Sequence, residues 1–96
     1  MAIDSKSLKA LAGRFGALSD PIRLDILDRL AGCDERCVCD LLRDSGVAAN
    51  LLSYHLAVLR RAGLVEARRR GRWVDYRLVP EALEALRRAV PGGAVR

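Results

Sequence analysis

The chain has three cysteines, and all three lie within a stretch of seven residues, at Cys33, Cys37 and Cys39. Thiolates are soft ligands that select soft or thiophilic ions, and exposed thiolates are also chemically reactive. The stretch contains polar residues such as Asp34 and Asp40, so three buried apolar cysteines are the less favoured interpretation. The pattern therefore predicts a metal or metalloid site formed by these thiols.

The number and type of ligands favour one class of ion. Three thiolates with no imidazole nearby suit trigonal As(III) or Sb(III), whereas Zn(II) requires a fourth ligand, for which Asp40 is the nearest candidate. Cd(II) or Pb(II) remains an alternative, in which Asp34 or Glu35 assists. A thiol-redox switch is a further alternative, because Arg36 adjoins Cys37 near a predicted helix N-terminus and favours its thiolate form.

The sequence does not favour an enzyme, because it lacks a Cys-x-x-Cys motif, a histidine near the cysteines and a glycine-rich phosphate loop. Its 96 residues, 51% hydrophobic and 30% charged, predict a single folded domain over 1–96. The N-terminal segment lacks the apolar core of a secretory signal, and no apolar run approaches the roughly 18 residues of a membrane helix. We therefore expect a cytoplasmic protein with reduced thiols and no membrane partner.

Positive charge is concentrated in the second half of the chain. Residues 1–48 carry seven basic and eight acidic side chains, whereas residues 49–96 carry ten arginines and four acidic side chains. The net charge of +5 therefore arises from the second half. Such asymmetry indicates an anionic partner for that half, and nucleic acid is the commonest one. A solvated arginine-rich surface is the alternative interpretation.

The two ends of the chain carry matching apolar stripes. Helices are predicted over about 5–18 and about 80–90, and each has apolar residues that recur at helical spacing. In so small a domain, these stripes most simply bury each other or their symmetry mates in a homodimer. The residues predicted at this dimer interface are Leu8, Leu11, Phe15, Leu83, Leu86 and Val90.

The middle of the chain predicts three more helices and a hairpin. A second helix follows the potential N-cap Asp20, a short third helix is predicted over about 35–44, and a fourth begins near Ala48. The third and fourth form a helix-turn-helix. Residues then alternate in character around Arg70 and Gly71, which indicates a β-hairpin. The predicted fold is mainly α with a β-hairpin, a winged helix-turn-helix in the order ααααββα.

The second helix of a helix-turn-helix places its N-terminal residues near base edges in the major groove. Its early outer face here carries polar residues that can bond bases or phosphates, and His55 is interpreted as a partly buried histidine near that surface. Arginines later in the helix and at the hairpin tip suit phosphates or the minor groove. The predicted DNA-binding residues are Asn50, Ser53, Tyr54, His55, Arg60, Arg61, Arg68, Arg69, Arg70 and Arg72.

Four segments, "LSDPIRLDILDRL", "CVCDLL", "SYHLAVLRRAGLV" and "GRWVDYRL", together resemble the arsenic-repressor (ArsR/SmtB) family of winged-helix metal-responsive repressors. The resemblance covers about residues 15–80. It implies a homodimer that binds a palindromic operator and releases it when a metal or metalloid ion binds. In the family, the C-V-C-D-L motif marks sensors of arsenite and antimonite, and also of cadmium and lead, and Cys37 and Cys39 match that motif.

The chain departs from the family pattern in the third ligand and in the recognition helix. The usual third thiol of the arsenic sensors lies at the position of Leu42, whereas this chain offers Cys33 upstream of the motif. Many relatives carry Ser-Gln-Pro or Ser-Gln-Ser at 48–50, where this chain has Ala-Ala-Asn. The Asp and His ligands that the family's zinc sensors place on the last helix are absent from "PEALEALRRAV". The operator sequence and the ion geometry therefore do not carry over directly.

A regular third helix would also suggest how the ion acts. Residues two apart on a helix point about 200° apart, so Cys37 and Cys39 could share an ion only if the first turn unwound. Because this helix supports the recognition helix, we expect that unwinding to tilt the recognition helix out of its groove. The ion must then bind the DNA-free state more tightly than the DNA-bound state.

Overall fold

The computed structural model describes residues 5–90, with side chains from residue 7 onward. Within that range, the order of helices and strands matches the predicted winged helix except for one added strand. The elements are α1 (Ser5–Ala17), α2 (Pro21–Ala31), β1 (Arg36–Cys37), α3 (Val38–Ser45), α4 (Ala49–Arg61), β2 (Val65–Arg70), β3 (Trp73–Leu78) and α5 (Pro80–Ala89).

Helix α2 begins as the sequence predicts. The Asp20 carboxylate accepts hydrogen bonds from the backbone N–H groups of Ile22, at 2.8 Å, and Arg23, at 3.3 Å. Pro21 occupies the first helical position, where its missing N–H costs nothing. Helix α4, by contrast, has Ala48 as its N-cap and receives no side-chain hydrogen bond there. The alanine that replaces the serine of many relatives at position 48 therefore leaves α4 without a side-chain cap.

The prediction of a third helix over about 35–44 is wrong at its N-terminal end. Arg36 and Cys37 form the short strand β1, which pairs antiparallel with β3 through Tyr76 and Asp75. Cys37 has an extended backbone, with φ −66° and ψ 142°, and serves as the N-cap of α3. The helix therefore starts at Val38, because the free edge of β3 offers the preceding residues backbone partners that sequence periodicity does not show.

The hairpin has the predicted position, and β1 extends it to a three-stranded sheet in the order β1-β3-β2. Strands β2 and β3 pair in register from Val65 opposite Leu78 to Arg70 opposite Trp73. Gly71 turns the chain between them with φ 58°, a left-handed conformation that favours glycine. The hairpin is the wing of the winged helix, and β1 attaches the cysteine segment to its base.

The core lies between α2, α3, α4 and the start of the wing. The fully buried side chains of α2 and α4 stand at the helical spacing that the sequence predicts. Helices α1 and α5 pack on this core and add the buried Ala17, Ala82 and Leu86 together with partly buried apolar residues. No helix among the residues described is long and apolar enough to cross a membrane. The largest fully buried side chains are Ile26, Leu30, Leu41, Leu52, Leu56, Leu59, Leu64 and Val65.

Candidate nucleic-acid interface and thiol site

Helix α4 presents its predicted DNA-reading residues to solvent. Its inward face consists of Leu52, Leu56 and Leu59, which are all buried. Asn50, Ser53 and Tyr54 lie on the opposite face and are exposed, Tyr54 to 55%. The late residues Arg60 and Arg61 are also exposed, and Arg61 Nε donates to the backbone oxygen of Ala57 at 3.3 Å. The helix thus has the two faces that a recognition helix needs.

His55 differs from the other polar residues on α4 because it is buried, with 4% of its surface exposed. A guanidinium nitrogen of Arg23 lies 3.0 Å from His55 Nδ1. Since an arginine can only donate, Nδ1 accepts this bond, and the proton of the neutral ring is on Nε2. Nε2 faces the Asp20 carboxylate at 4.0 Å. His55 therefore joins α4 to the start of α2 and has almost no surface left for a base.

Arg23 connects three helices, and sequence reasoning did not identify it. Its Nε donates to the backbone oxygen of Ala17 at 2.8 Å, and a second nitrogen donates to that of Gly16 at 3.4 Å. Because its remaining bond is to His55, one side chain on α2 ties the end of α1 to the recognition helix. Burial acts to raise the pKa of Asp20, but the hydrogen bonds from Ile22 and Arg23 prevail and lower it.

The wing carries all four of its predicted DNA-binding arginines on its exposed face, but two of them already hold a carboxylate. Arg68 is paired with Glu35, and Arg70 binds Asp75 through two nitrogens, at 2.5 and 3.1 Å. Arg72 lies over the Trp73 ring, 5.9 Å from its centroid. Within residues 7–90, Arg69 and Arg72 are the two members of the set with no carboxylate paired to them. The wing therefore offers DNA less free charge than its sequence suggests.

Asp75 is a buried carboxylate that holds Arg70 on the wing. It is 4% exposed, because it lies on the central strand β3 with strand β1 beside it and is paired with Arg70. The hydrogen bond from Arg70 lowers the pKa of Asp75 below its ordinary value, against the opposing effect of burial. The same bond raises the pKa of Arg70. A single acidic residue in a strand flanked by arginines was the sequence signal for this pair.

Cys37 and Cys39 are brought together at the start of α3. Their sulfur atoms are in direct contact in a disulfide arrangement, and the Cys37 sulfur also lies 3.3 Å from the backbone N–H of Cys39. The premise that both residues lie on one regular helix is wrong, because Cys37 precedes the helix as its N-cap. The two sulfurs can therefore act on one ion or on each other without any unwinding of α3.

Cys33 is not part of this pair in the structure. Its thiol is exposed at the end of α2 and lies 3.6 Å from the backbone oxygen of Arg29 and 3.7 Å from that of Leu30. Within the part of the chain that the structure describes, no three cysteine, histidine or acidic side chains are close enough to hold an ion. The geometry supplies two soft ligands, and a third would require the segment after α2 to move.

The terminal helices α1 and α5 leave an apolar groove between them. It has a volume of about 230 Å³, and α1 and α5 line it. Leu8 and Val90, at the outer ends of these helices, are about half exposed, whereas Leu11 and Leu83 pack partly on the core. The predicted interface residues that line the groove are Phe15, Leu83, Leu86 and Val90.

The family model described as "Bacterial regulatory protein, arsR family" matches residues 20–67, from the N-cap of α2 into the first wing strand. The arsenical resistance operon repressor of Bacillus subtilis is 37% identical over 82 residues, which cover 85% of this chain and 78% of that protein. The repressor of the same description from Escherichia coli is 44% identical over 66 residues, or 69% of this chain. The match spans 56% of the Escherichia coli protein's length.

A solved structure supports the same assignment at the level of the fold. It is the solution structure of a homodimeric winged helix-turn-helix DNA-binding domain from Mycobacterium bovis, described as a possible ArsR-family transcriptional regulator. It is 37% identical, with a TM-score of 0.74, and the match covers 91% of this chain and 79% of that one. The relatives are regulators rather than enzymes. With the family model matching half of its length, the chain belongs to the arsR family of bacterial regulatory proteins.

Proposed function

We propose that this protein is a homodimeric repressor that binds operator DNA and releases it when a soft ion binds its cysteine thiolates. The observation that carries the proposal is the contact between the Cys37 and Cys39 sulfurs at the start of α3. That position joins the helix before the recognition helix to the strand at the base of the wing. A ligand bound there can act on both DNA-contacting elements.

DNA binding is assigned to α4 and to the wing. The exposed Asn50 and Ser53 can reach base edges in a major groove, where an asparagine can pair bidentately with adenine. We propose that Tyr54, Arg60 and Arg61 contact phosphates, which position a protein on DNA without reading its sequence. The hairpin tip, with Arg69 and Arg72, suits the phosphates or the minor groove beside the recognition helix.

The homodimer is assigned to the terminal helices. The groove between α1 and α5 leaves apolar surface open in the monomer, and the related domain from Mycobacterium bovis is homodimeric. A second copy would cover this surface and place two recognition helices for two half-sites of a palindromic operator. Leu8, Leu11 and the groove residues are the contacts that we propose.

As(III) or Sb(III) is the proposed inducer, with Cd(II) or Pb(II) as the alternative. Cys37 and Cys39 provide two thiolates, the type of ligand that thiophilic ions prefer. Cys33 is the proposed third ligand, and it would have to leave the end of α2 to reach the other sulfurs. Binding of the ion would then displace Cys37 from its position as the N-cap of α3, and the helix itself would not need to unwind.

The test is release of DNA by ions, followed by fluorescence anisotropy. A labelled duplex selected by the protein from a random-sequence pool serves as operator, and reduced protein is titrated with arsenite, antimonite, Cd(II), Pb(II) and Zn(II). We expect arsenite or antimonite to lower the affinity at least tenfold, which corresponds to about 1.4 kcal/mol of coupling. Cys37→Ser and Cys39→Ser should bind DNA normally and resist release.

Cys33→Ser is the informative third variant. If Cys33 is a ligand, its loss should shift the arsenite titration to higher concentration while the DNA affinity without arsenite stays unchanged. Wild-type release by arsenite in the Cys37→Ser variant would overturn the thiol site. Release by Cd(II) or Pb(II) alone would instead select the alternative ion.

A redox switch is the second candidate, because the two sulfurs already meet in a disulfide arrangement. Oxidation would join Cys37 and Cys39, with loss of two protons and two electrons to an oxidant such as peroxide. This candidate predicts release by peroxide in metal-free buffer, full reversal by dithiothreitol, and wild-type behaviour of Cys33→Ser. Retention of DNA after complete oxidation of the pair would exclude it.

A further inference from the structure

Two wing arginines are paired with carboxylates, one that lies just before strand β1 and one on its partner strand β3. Arg68 is held by Glu35, the residue immediately before β1, and Arg70 is held by Asp75 on β3. Asp75 is also the residue that faces Cys37 across the β1–β3 ladder. The segment that carries the thiols therefore lies beside both ion pairs, Arg68–Glu35 and Arg70–Asp75.

A carboxylate and a DNA phosphate compete for the same guanidinium geometry. Both are anions that accept two parallel N–H bonds from arginine, so Arg68 cannot serve Glu35 and a phosphate fully at once. The Arg68–Glu35 pair is partly exposed, with 62% of the Arg68 side chain open to solvent, and exposed pairs contribute little to stability. A phosphate can therefore replace Glu35 without disrupting the fold.

The surface beside the pair is open to an approaching anion. A groove of about 390 Å³ lies along this edge of the sheet, lined by Glu35, Glu66, Ala67, Arg68 and Arg77. Arg77 is itself paired with Glu66, at 2.7 Å. The groove thus combines two arginines with the two carboxylates that neutralise them, and any loss of a carboxylate contact exposes positive charge to the solvent.

We propose that Glu35 and Asp75 are internal competitors of DNA for Arg68 and Arg70, and that strand β1 couples this competition to the state of Cys37. When β1 is fixed on β3, the carboxylates stay on the arginines and the wing binds fewer phosphates. In the structure, this arrangement accompanies the contact between the Cys37 and Cys39 sulfurs. The coupling rests on the proposed function, whereas the competition itself requires only that the protein binds DNA.

The test measures how affinity for the selected duplex depends on salt. Each phosphate contact adds about 0.9 to the slope of log affinity against log salt concentration. We expect Glu35→Gln to bind more tightly at low salt and to add about one contact, which corresponds to a further loss of about threefold between 50 and 200 mM salt. Asp75→Asn should do the same through Arg70. Glu84→Gln, which removes a carboxylate paired with Arg87 and Arg88 on α5, is the matched control and should leave the slope unchanged.

A double-mutant cycle separates competition from a simple change of net charge. Arg68→Ala should lower the slope only slightly in the wild-type background, because Glu35 holds Arg68, but by a full contact in the Glu35→Gln background. Equal effects in both backgrounds, or a slope that Glu35→Gln leaves unchanged or lowers, would overturn the proposal. The cycle keeps the proposal testable even if Asp75→Asn fails to fold.

Release of DNA by arsenite, compared between Glu35→Gln and wild type, tests the coupling. Its outcome can be distinguished from a failure of the proposed function. We expect Glu35→Gln to bind arsenite as tightly as wild type in a calorimetric titration. The factor by which arsenite weakens DNA binding should, however, be at least threefold smaller in Glu35→Gln than in wild type. Unchanged release in Glu35→Gln would overturn the coupling while the proposed function stands. If wild-type protein does not release DNA with arsenite, the proposed ion fails, and the salt slopes still decide the competition.

Discussion

The recognition helix and the wing both direct polar side chains towards solvent, but they hold them in different ways. On α4, buried leucines fix the helix, and the structure describes no side-chain partner for the outward Asn50 and Ser53. On the wing, the strands bury little, and Glu35 and Asp75 bind the arginines. Helix α4 is therefore positioned by its buried apolar face, and it has free polar groups on its outward face. The wing is positioned partly by ion pairs of the same arginines that would bind DNA.

This difference separates stability from DNA affinity. A change in the apolar face of α4 should reduce stability, and its outward face should tolerate change without loss of fold. On the wing, each arginine or carboxylate contributes to the local structure and to the phosphate-binding charge together. Mutations should therefore have separable effects on α4 and coupled effects on the wing, and four predictions examine that contrast.

The largest effect is expected from the core face of α4. Leu59 is completely buried, and Leu59→Ala should lower the free energy of unfolding by about 2–5 kcal/mol, because it removes apolar contacts and leaves a cavity. Leu51→Ala, two turns earlier and 41% exposed, should change it by less than about 0.5 kcal/mol. Urea unfolding measures both, and similar losses for the two variants would contradict the division of α4 into a core face and a free face.

Much of α4 could be predicted from the sequence, and the reason is local. Leucines at helical spacing fix which side of α4 is buried, so its inward face and the exposure of Asn50, Ser53 and Tyr54 follow from the period, whereas the burial of His55 does not. The wing hairpin follows similarly from alternation around Gly71, whose φ of 58° suits the turn. These features depend on residues near each other in the chain.

The features that could not be predicted depend on distant partners. Cys37 leaves the predicted helix because β3, almost forty residues later, offers it a backbone ladder at Asp75. Glu35 and Arg68 meet across 33 positions, and Arg23 and His55 across 32. Sequence periodicity does not predict such pairings. The ion pairs on the wing and the hydrogen bonds of Arg23 that link α1, α2 and α4 are therefore visible only in the folded chain.

Arg23 provides the next largest effect, because its side chain links α1, α2 and α4 through hydrogen bonds. Arg23→Met should lower the free energy of unfolding by about 1–3 kcal/mol, because the buried His55 and the Ala17 carbonyl lose their donor. Arg29→Met, on the same helix, removes only an exposed pair with Asp25 and should change little. Thermal and urea unfolding of both variants, with DNA affinity as second readout, would detect the difference.

His55→Asn sharpens this prediction, because its side chain can still present an acceptor near the position of Nδ1. It should restore part of the stability that His55→Ala loses. Equal stability of the two His55 variants would show that the bond to Arg23 contributes nothing, and the recognition helix would then depend on its apolar face alone.

A smaller effect, of opposite sign, is expected at the start of α4. Ala48 is the N-cap of the recognition helix and offers no side-chain acceptor, unlike Asp20 at the start of α2. Ala48→Ser should therefore raise the free energy of unfolding by about 0.5–2 kcal/mol through a bond to an unpaired backbone N–H. Chemical denaturation measures the gain, and Ala49→Ser, one residue inside the helix, is the matched control that should not show it.

The smallest effect should come from pH and should be confined to the wing. Because the bond from Arg70 lowers the pKa of Asp75, the unfolded chain binds more protons at this position than the folded chain does in acid. The stability contributed by this carboxylate is therefore complete above its unfolded pKa of about 3.9 and is lost as the pH falls through its lower folded value. The loss should be modest, since half of the Arg70 side chain is exposed.

Asp75→Asn identifies this contribution. The variant should be less stable than wild type at pH 7, and the difference should shrink as the pH falls through the lowered pKa of Asp75, because the wild-type carboxylate is then protonated as well. Asp28→Asn, an exposed change on α2, is the control for removal of one carboxylate elsewhere. A difference that persists undiminished to the lowest pH at which the wild type stays folded would mean that Asp75 acts by packing rather than by charge. The wing would then be positioned as α4 is, and the contrast between the two regions would disappear.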